Sequence, residues 1–305
     1  MRSPLSRLDA TAASADDPGL YGPHSEAWRL NREAFLLLAA GPRALLLQIA
    51  HPLVAEGVAH HSTFAQDPFR RLHGTITTTM DLVFGDGAAA ERAVCKLNGI
   101  HAGIRGTVAD VQARHVADSY RALDPELLLW VQTTLIVTSV RAYRRWVGPL
   151  TRTELDRFWH EARTVGLRLG IPLTLSPADW PALTAYWRRM LSVDGPIHVT
   201  PTARGLAPMI MRPPIAYLPG IAVDALALPG LSLLPKRLRQ EFGIGWDSGR
   251  ELLAHVLGFG IRTWVRSVPR GLRAMPQANR AYGRVRTAGI AMDLPPSTRS
   301  TAPVM

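Results

Sequence analysis

The sequence predicts an all-α protein folded as a single multi-helix bundle, and three observations predict it. Between Glu26 and Val147 apolar residues recur at spacings of three and four, the period of a helix with one buried face. Proline is sparse there, and no run alternates apolar and polar residues long enough to read as a strand. The 305 residues are 47% hydrophobic and only 19% charged, enough apolar matter for a substantial core and too much for a disordered chain.

Local signals place the elements in order. Residues 1–25 carry no apolar stretch behind their arginines, so they read as a flexible lead-in and not as a secretory signal. Helices are expected over 26–40 and 42–60, divided at Gly41-Pro42 because proline suits a first turn, and then over 67–84. Gly85-Asp86-Gly87 marks a turn before a helix over 87–115. Asp124-Pro125-Glu126 sets an acceptor, a proline and an acid where a helix over 124–146 needs them. Thr151 with Glu154 opens a helix over 151–169 as a capping box, and Ser176 to Asp179 opens one over 178–192.

Eight prolines between 196 and 235 then cut an apolar stretch into short pieces, so 195–235 is expected to be irregular and to pack on the first half or line an apolar cavity. Helices over 235–242 and 247–267 follow, and 286–305 reads as a disordered tail. With no fixed repeat and no second core, 26–285 is one domain. No apolar run reaches the ~20 residues that span a bilayer, and with no signal segment the expected location is the cytoplasm.

The formal charge is +11, and only Lys96 and Lys236 among the 35 basic residues are lysine. The arginines are scattered, without the dense, aromatic-interleaved block of a nucleic-acid surface, which argues against such a partner. Peripheral contact with an anionic membrane is compatible with them.

No phosphate loop, dinucleotide fingerprint, serine elbow or His-Glu-x-x-His helix is present. A single cysteine excludes an intramolecular disulfide, and Cys95, beside Val94 and Leu97, reads as a buried structural thiol. Seven of the ten histidines precede residue 116. His51 before Pro52 reads as a core hydrogen-bonding residue, and adjacent His60 and His61 point to different helix faces, which suits structure better than shared ligation. Glu56, Asp67 and Asp81 are the nearest carboxylates in sequence, weak evidence for a non-haem ligand set. Around His101, in Asn98-Gly99-Ile100-His101-Ala102-Gly103-Ile104-Arg105-Gly106, the glycines admit either a flat group against a histidine ligand or a second helix. Spacing alone favours the helix. Arg71 and Thr75, four apart and continued by Thr78 and Thr79, form a polar stripe expected to face inward.

Several separated stretches carry a resemblance. They are Pro42 to Gln48 with His51-Pro52 and Gly57 to Ser62, Asp67-Pro68 to Thr75, Gly99 to Gly106, Tyr120 to Leu127 with Trp130-Val131, Leu234-Pro235, and Pro269 to Arg273. In that order, across roughly 26–285, the chain resembles the helical haem oxygenases that include latex clearing protein, the rubber oxygenase, and the oxygenase of the mycophenolic-acid pathway.

The resemblance implies haem b as cofactor, dioxygen as co-substrate, and cleavage of a carbon–carbon double bond as the precedent reaction. It assigns the axial iron ligand to His101 and a place near the haem to Arg71 and Thr75, with Arg71 or Arg105 pairing a propionate and Glu56 standing as the acidic base. The lysine that rubber-cleaving members place between the arginine and threonine is Gly74 here, which points away from rubber and to a more open distal face. Gln132 stands where many relatives have histidine. The expected substrate is a hydrophobic small molecule, isoprenoid or lipid-like, with the 206–234 segment as a pocket wall. The competing expectation is a haem or lipid carrier without turnover.

Overall fold

The computed structural model describes residues 17–61, 68–212 and 220–288. The lead-in as far as residue 16, the tail from 289, Asp67 and the prolines at 213, 214 and 219 lie outside the described residues. Among those described, fourteen helices and one two-stranded hairpin make the fold predominantly α-helical.

The helices are α1 (Glu26–Asn31), α2 (Ala34–Ile49), α3 (Pro52–His61), α4 (Pro68–Phe84), α5 (Gly87–Gly103), α6 (Pro125–Trp146), α7 (Arg152–Arg168), α8 (Trp180–Met190), α9 (Pro201–Met211), α10 (Gly220–Ser232), α11 (Lys236–Glu241), α12 (Ser248–Ser267), α13 (Arg270–Arg273) and α14 (Pro276–Thr287). Strands β1 (Arg105–Thr107) and β2 (Ser119–Arg121) pair antiparallel, with Gly106 opposite Tyr120.

α2 runs through the middle, against α6 on one side and α10 on the other. That position explains its near-continuous apolar sequence, since a helix enclosed all round needs no polar face. On α6, Trp130 stacks on Trp187 of α8 with ring centroids 5.5 Å and planes 13° apart. Its Nε1 donates to the Leu47 carbonyl at 3.1 Å, so the indole is buried with its one donor satisfied. α10 crosses α2 so closely that a Cβ on Gly230 would lie 2.1 Å from the Ala39 carbonyl oxygen. No side chain but hydrogen fits there.

Caps set most helix starts where the sequence marks them. Asp86, Asp124 and Asp179 accept from the backbone of α5, α6 and α8, and Thr151 with Glu154 forms the capping box of α7.

Four expectations need correction. Pro42 lies inside α2 instead of opening a helix, and Pro208 and Pro229 lie inside α9 and α10. A proline in a helix interior costs about 3 kcal/mol, and burial against neighbours offsets it here, so much of 195–235 is helical. Pro201 starts α9 behind Thr200, whose hydroxyl accepts from Ala203 N at 3.2 Å. The helix expected to reach 115 ends at Gly103, where the chain turns into β1. α14, unforeseen, closes over Trp28, Met80 and Phe84 with Ala278, Ala281 and Val285, and Tyr282 meets Trp28 edge-on at 4.9 Å. Cys95 is exposed and not buried.

The described part of the lead-in is anchored. Asp17 accepts from Gly19 N at 2.7 Å and from Gly87 N at 2.6 Å, while Arg284 of α14 donates to the carbonyls of Asp17 (3.2 Å) and Phe84 (3.1 Å). Among the described residues no single helix is long and apolar enough to cross a membrane; α2 and α3 together have the length and composition, but they meet at 104°.

Candidate active site

α4 and α5 form an antiparallel helical hairpin around the turn at Gly85 and Asp86. One rung is fixed by Lys96, whose Nζ donates to the Thr78 hydroxyl at 3.2 Å. Seven residues back along α4 is Arg71 and seven onward along α5 is Gly103, both about 10 Å from the rung at 1.5 Å per residue. The hairpin therefore brings the backbone of Arg71, Thr75 and His101 to its open end. The Arg71 and His73 side chains lie outside the described ones.

His101 sits in the last turn of α5, at the end of the seam formed by Ala90, Val94 and Leu97. Those residues share its helix face at spacings of three and four. The imidazole is half-buried, and its Nδ1 is enclosed without a hydrogen-bond partner. Burial pushes its pKa below the usual histidine value, so the neutral ring, the form that binds metals, is favoured. One turn earlier Asn98 donates to the Arg168 carbonyl of α7 at 3.2 Å, and its Oδ1 is also buried without a partner.

The glycines favour neither reading of this segment. A Cβ added at Gly74, Gly99 or Gly103 would meet nothing within 4 Å, so among the described residues no neighbouring helix presses there. Gly99 and Gly103 lie on the exposed face of α5, away from His101. Gly106 is different: a Cβ there would lie 2.6 Å from the Tyr120 hydroxyl.

Tyr120 ties the end of α5 to α3. Its hydroxyl lies 2.9 Å from His60 Nδ1, and His61 Nε2 lies 3.1 Å from the Arg105 carbonyl. The two adjacent histidines thus serve different partners, as their different helix faces predict. Burial, and after it the Glu56 carboxylate, push the Tyr120 pKa above its usual value.

Glu56 is only 1% exposed and both its oxygens are engaged. Oε2 accepts from Ala109 N at 2.8 Å, and Oε1 lies 2.8 Å from the Thr202 hydroxyl, which also lies 3.0 Å from Asp110 Oδ2. A hydroxyl has one hydrogen, so Thr202 donates to one carboxylate at a time. This network joins α3, the loop after β1 and α9. Among the described residues no hydrogen bond links Glu56 to the α4–α5 hairpin.

Two candidates face outward. Thr75 is exposed, so the stripe with Arg71 is not wholly inward as expected; Thr78 is its buried member. Arg105 is exposed at the foot of the hairpin. Arginines that do face inward are Arg29, Arg273 and, fully buried, Arg43 of α2. The contacts of Arg43 are long-range. It donates through Nε to the Leu233 carbonyl at 2.9 Å and through Nη1 to Thr138, and lies 5.8 Å from the Trp187 ring. Its Nη2 has no partner, and burial, with Arg141 nearby, lowers its pKa to about 9.

Further buried polar atoms lack partners, among them those of His51, Gln132 and Thr133. His51, at the α2–α3 junction, has an enclosed Nδ1 and a pKa lowered to about 4 by burial and by His198. On α6, Gln132 donates to the Ala162 carbonyl at 2.7 Å and fits against Gly166 of α7, leaving its Oε1 unpaired beside the equally unpaired Thr133 hydroxyl. Unpaired buried polar groups cost about 1–3 kcal/mol each and so mark places where a partner belongs. Among the described residues no three His, Cys, Asp or Glu side chains form a group that could hold a metal ion by themselves. A porphyrin-held iron needs only one protein ligand.

The 206–234 segment does wall a cavity. Pro208 and Met211 of α9, Ala227, Leu228 and Leu231 of α10, Ile244 between α11 and α12, and Leu253 of α12 line an apolar cleft of about 470 Å³, with Arg212, Asp224 and Arg250 at its edge. Neither α4 nor α5 contributes to its lining, so the cleft and His101 are separate features.

The catalytic-domain family model described as ER-bound oxygenase mpaB/B'/Rubber oxygenase matches residues 28–299. Two curated relatives, uncharacterised proteins of Mycobacterium bovis and Mycobacterium tuberculosis, are each 30% identical over 181 residues, which is 55% of this chain and 66% of theirs. The match thus spans just under two thirds of the length of those relatives. No solved structure matches.

Proposed function

Because the chain belongs to the mpaB/rubber oxygenase catalytic-domain family, we propose that it is a haem b-dependent oxygenase that uses dioxygen to oxidise a hydrophobic, isoprenoid or lipid-like small molecule. The observation that carries the cofactor is His101, an imidazole kept neutral by burial at the end of an apolar seam, with one ring nitrogen enclosed and unpartnered.

When bound, haem b supplies the iron chemistry that activates dioxygen, which no side chain performs. The chain's own residues hold and orient. His101 would hold the iron through a ring nitrogen, and the seam of Ala90, Val94 and Leu97 fixes the helix that presents it. Arg105, exposed at the hairpin foot, and Arg71, level with it in the backbone, are the cations assigned to the propionates, whose charge belongs at a solvent edge. Thr75 contributes a hydroxyl on the same end of α4. Gly74 leaves open space where a longer residue would stand. Glu56 is assigned to holding α3 on α9; service as a base requires release of Thr202.

The engaged state of Glu56 favours one second reading, a carrier that binds haem or lipid without turnover. Two measurements separate them. Protein from a haem-supplemented host should show a Soret band that His101→Ala abolishes while far-UV circular dichroism is kept; colourless, iron-free wild type overturns the cofactor assignment. Ferrous protein given dioxygen and an isoprenoid panel should yield oxygenated product. Ligand recovered unchanged assigns the carrier.

A further inference from the structure

α12 is amphipathic with its polarity reversed on the solvent side. Ala254, Gly258 and Val265 face the bundle, with Gly258 close against Trp146 of α6. The opposite face carries Leu252, Val256 and Phe259, which are 66%, 56% and 72% exposed, and no charged side chain. Spacings of four and three put these three in one line. Leu253 and Trp264 widen that line on one side and are also exposed. From Leu252 to Trp264 the strip runs for about 18 Å at 1.5 Å per residue. Single exposed apolar residues are ordinary, whereas a contiguous strip marks an interaction surface.

The other side of the strip is basic. Arg262 and Arg266 project there, and Arg262 reaches the Arg145 carbonyl at 2.8 Å, which sets the exposed Arg144 and Arg145 at the end of α6 beside them. His255 and Glu251 share that side and interact with each other at 3.5 Å. An apolar line flanked by arginine is the pattern of a helix lying in the headgroup region of an anionic bilayer. The strip also adjoins the apolar cleft, since Leu253 belongs to both.

We propose that the outward face of α12 is a docking surface for an anionic lipid bilayer, with Leu252, Val256 and Phe259 entering the acyl boundary and Arg262 and Arg266 meeting lipid phosphates. Charge selects this occupant over a second copy of the chain. A net charge of +11 opposes self-association and favours an anionic membrane. Docking this way presents the mouth of the cleft to the bilayer, so a lipid-like ligand reaches it without crossing water. The proposal stands on the surface alone and is independent of the haem assignment.

The test is vesicle sedimentation of the full chain, with phosphatidylcholine alone and with a third replaced by phosphatidylglycerol. Wild type should sediment with the anionic vesicles at low salt and be released by high salt. Neutralising Arg262 or Arg266 to Gln should lower partitioning about fivefold each, and Val256→Ser with Phe259→Ser should abolish it while the thermal midpoint is unchanged. An environment-sensitive dye on Phe259→Cys, placed in a Cys95→Ser background, should shift to the blue only with anionic vesicles. Absence of sedimentation at low salt, or sedimentation untouched by the face variants, overturns the proposal. So does concentration-dependent self-association lost in the face variants, which gives the face to a second copy, and slow labelling of residue 259 without vesicles, which gives it to another part of the chain.

Discussion

His51 and His101 each enclose an Nδ1 atom that bonds to nothing, and their buried rings favour the uncharged state. For His51 the consequence is a pH dependence of folding. Its native pKa of about 4 lies below the roughly 6.5 of an unfolded histidine. Between those values the unfolded chain holds more protons, so the stability His51 contributes is complete above the upper value and is lost as pH falls through the window. Between pH 7 and about 4.5 the wild type should lose about 2 to 3 kcal/mol more than His51→Gln. Urea denaturation of both proteins at the two pH values reads this difference, and parallel losses would refute it. Little of this was legible beforehand. The sequence marks His51 and His101 as candidates, but whether a ring nitrogen finds a partner depends on residues far along the chain. Arg43 shows the same limit, because its contacts with Thr138 and Leu233 are formed 95 and 190 residues away.

Helices whose starts are written in neighbouring residues were legible to within a residue or two, as at Asp86, Asp124 and Thr151, where a side chain caps the very next turn. Elements decided by distant contact were not. The hairpin of β1 and β2 depends on Gly106 leaving room for the Tyr120 hydroxyl, and α9 and α10 tolerate interior prolines because their faces are buried. Of the candidate site, the convergence of Arg71, Thr75 and His101 follows from two adjoining helices and a turn. The engagement of Glu56 by Thr202, 146 residues onward, follows from no local signal. At this scale glycine gives a sharp contrast. Gly230→Ala puts a methyl group against the Ala39 carbonyl and should destabilise by about 2 kcal/mol or more, since α2 and α10 cannot separate cheaply. Gly205→Ala, on α9 with nothing within 4 Å, should stabilise by about 0.5 to 1 kcal/mol through helix propensity. Denaturant midpoints of the two variants check both signs.

Across the whole molecule the two ends of the described chain meet at the turn of the α4–α5 hairpin. Asp17 and Arg284 fix that turn, and α14 covers Trp28, Met80 and Phe84 beneath it. Deleting residues 276–305 should therefore expose Trp28 and Phe84, lower the thermal midpoint by several degrees and, on the proposed cofactor assignment, reduce haem loading, although no deleted residue lies near His101 in sequence. A truncated chain with unchanged melting and pigment content would show that α14 does not support the hairpin. The hairpin is thus clamped at its turn and tied at its far end through Tyr120, His60 and His61, where α5 exposes Gly99, Ile100, Ala102 and Gly103. Its stiffness should fall with distance from the anchored turn, so the amides near Gly103 exchange with deuterium sooner than those near Gly87. On the proposed assignment, haem held by His101 should slow exchange most at that far end, the effect fading toward the pivot.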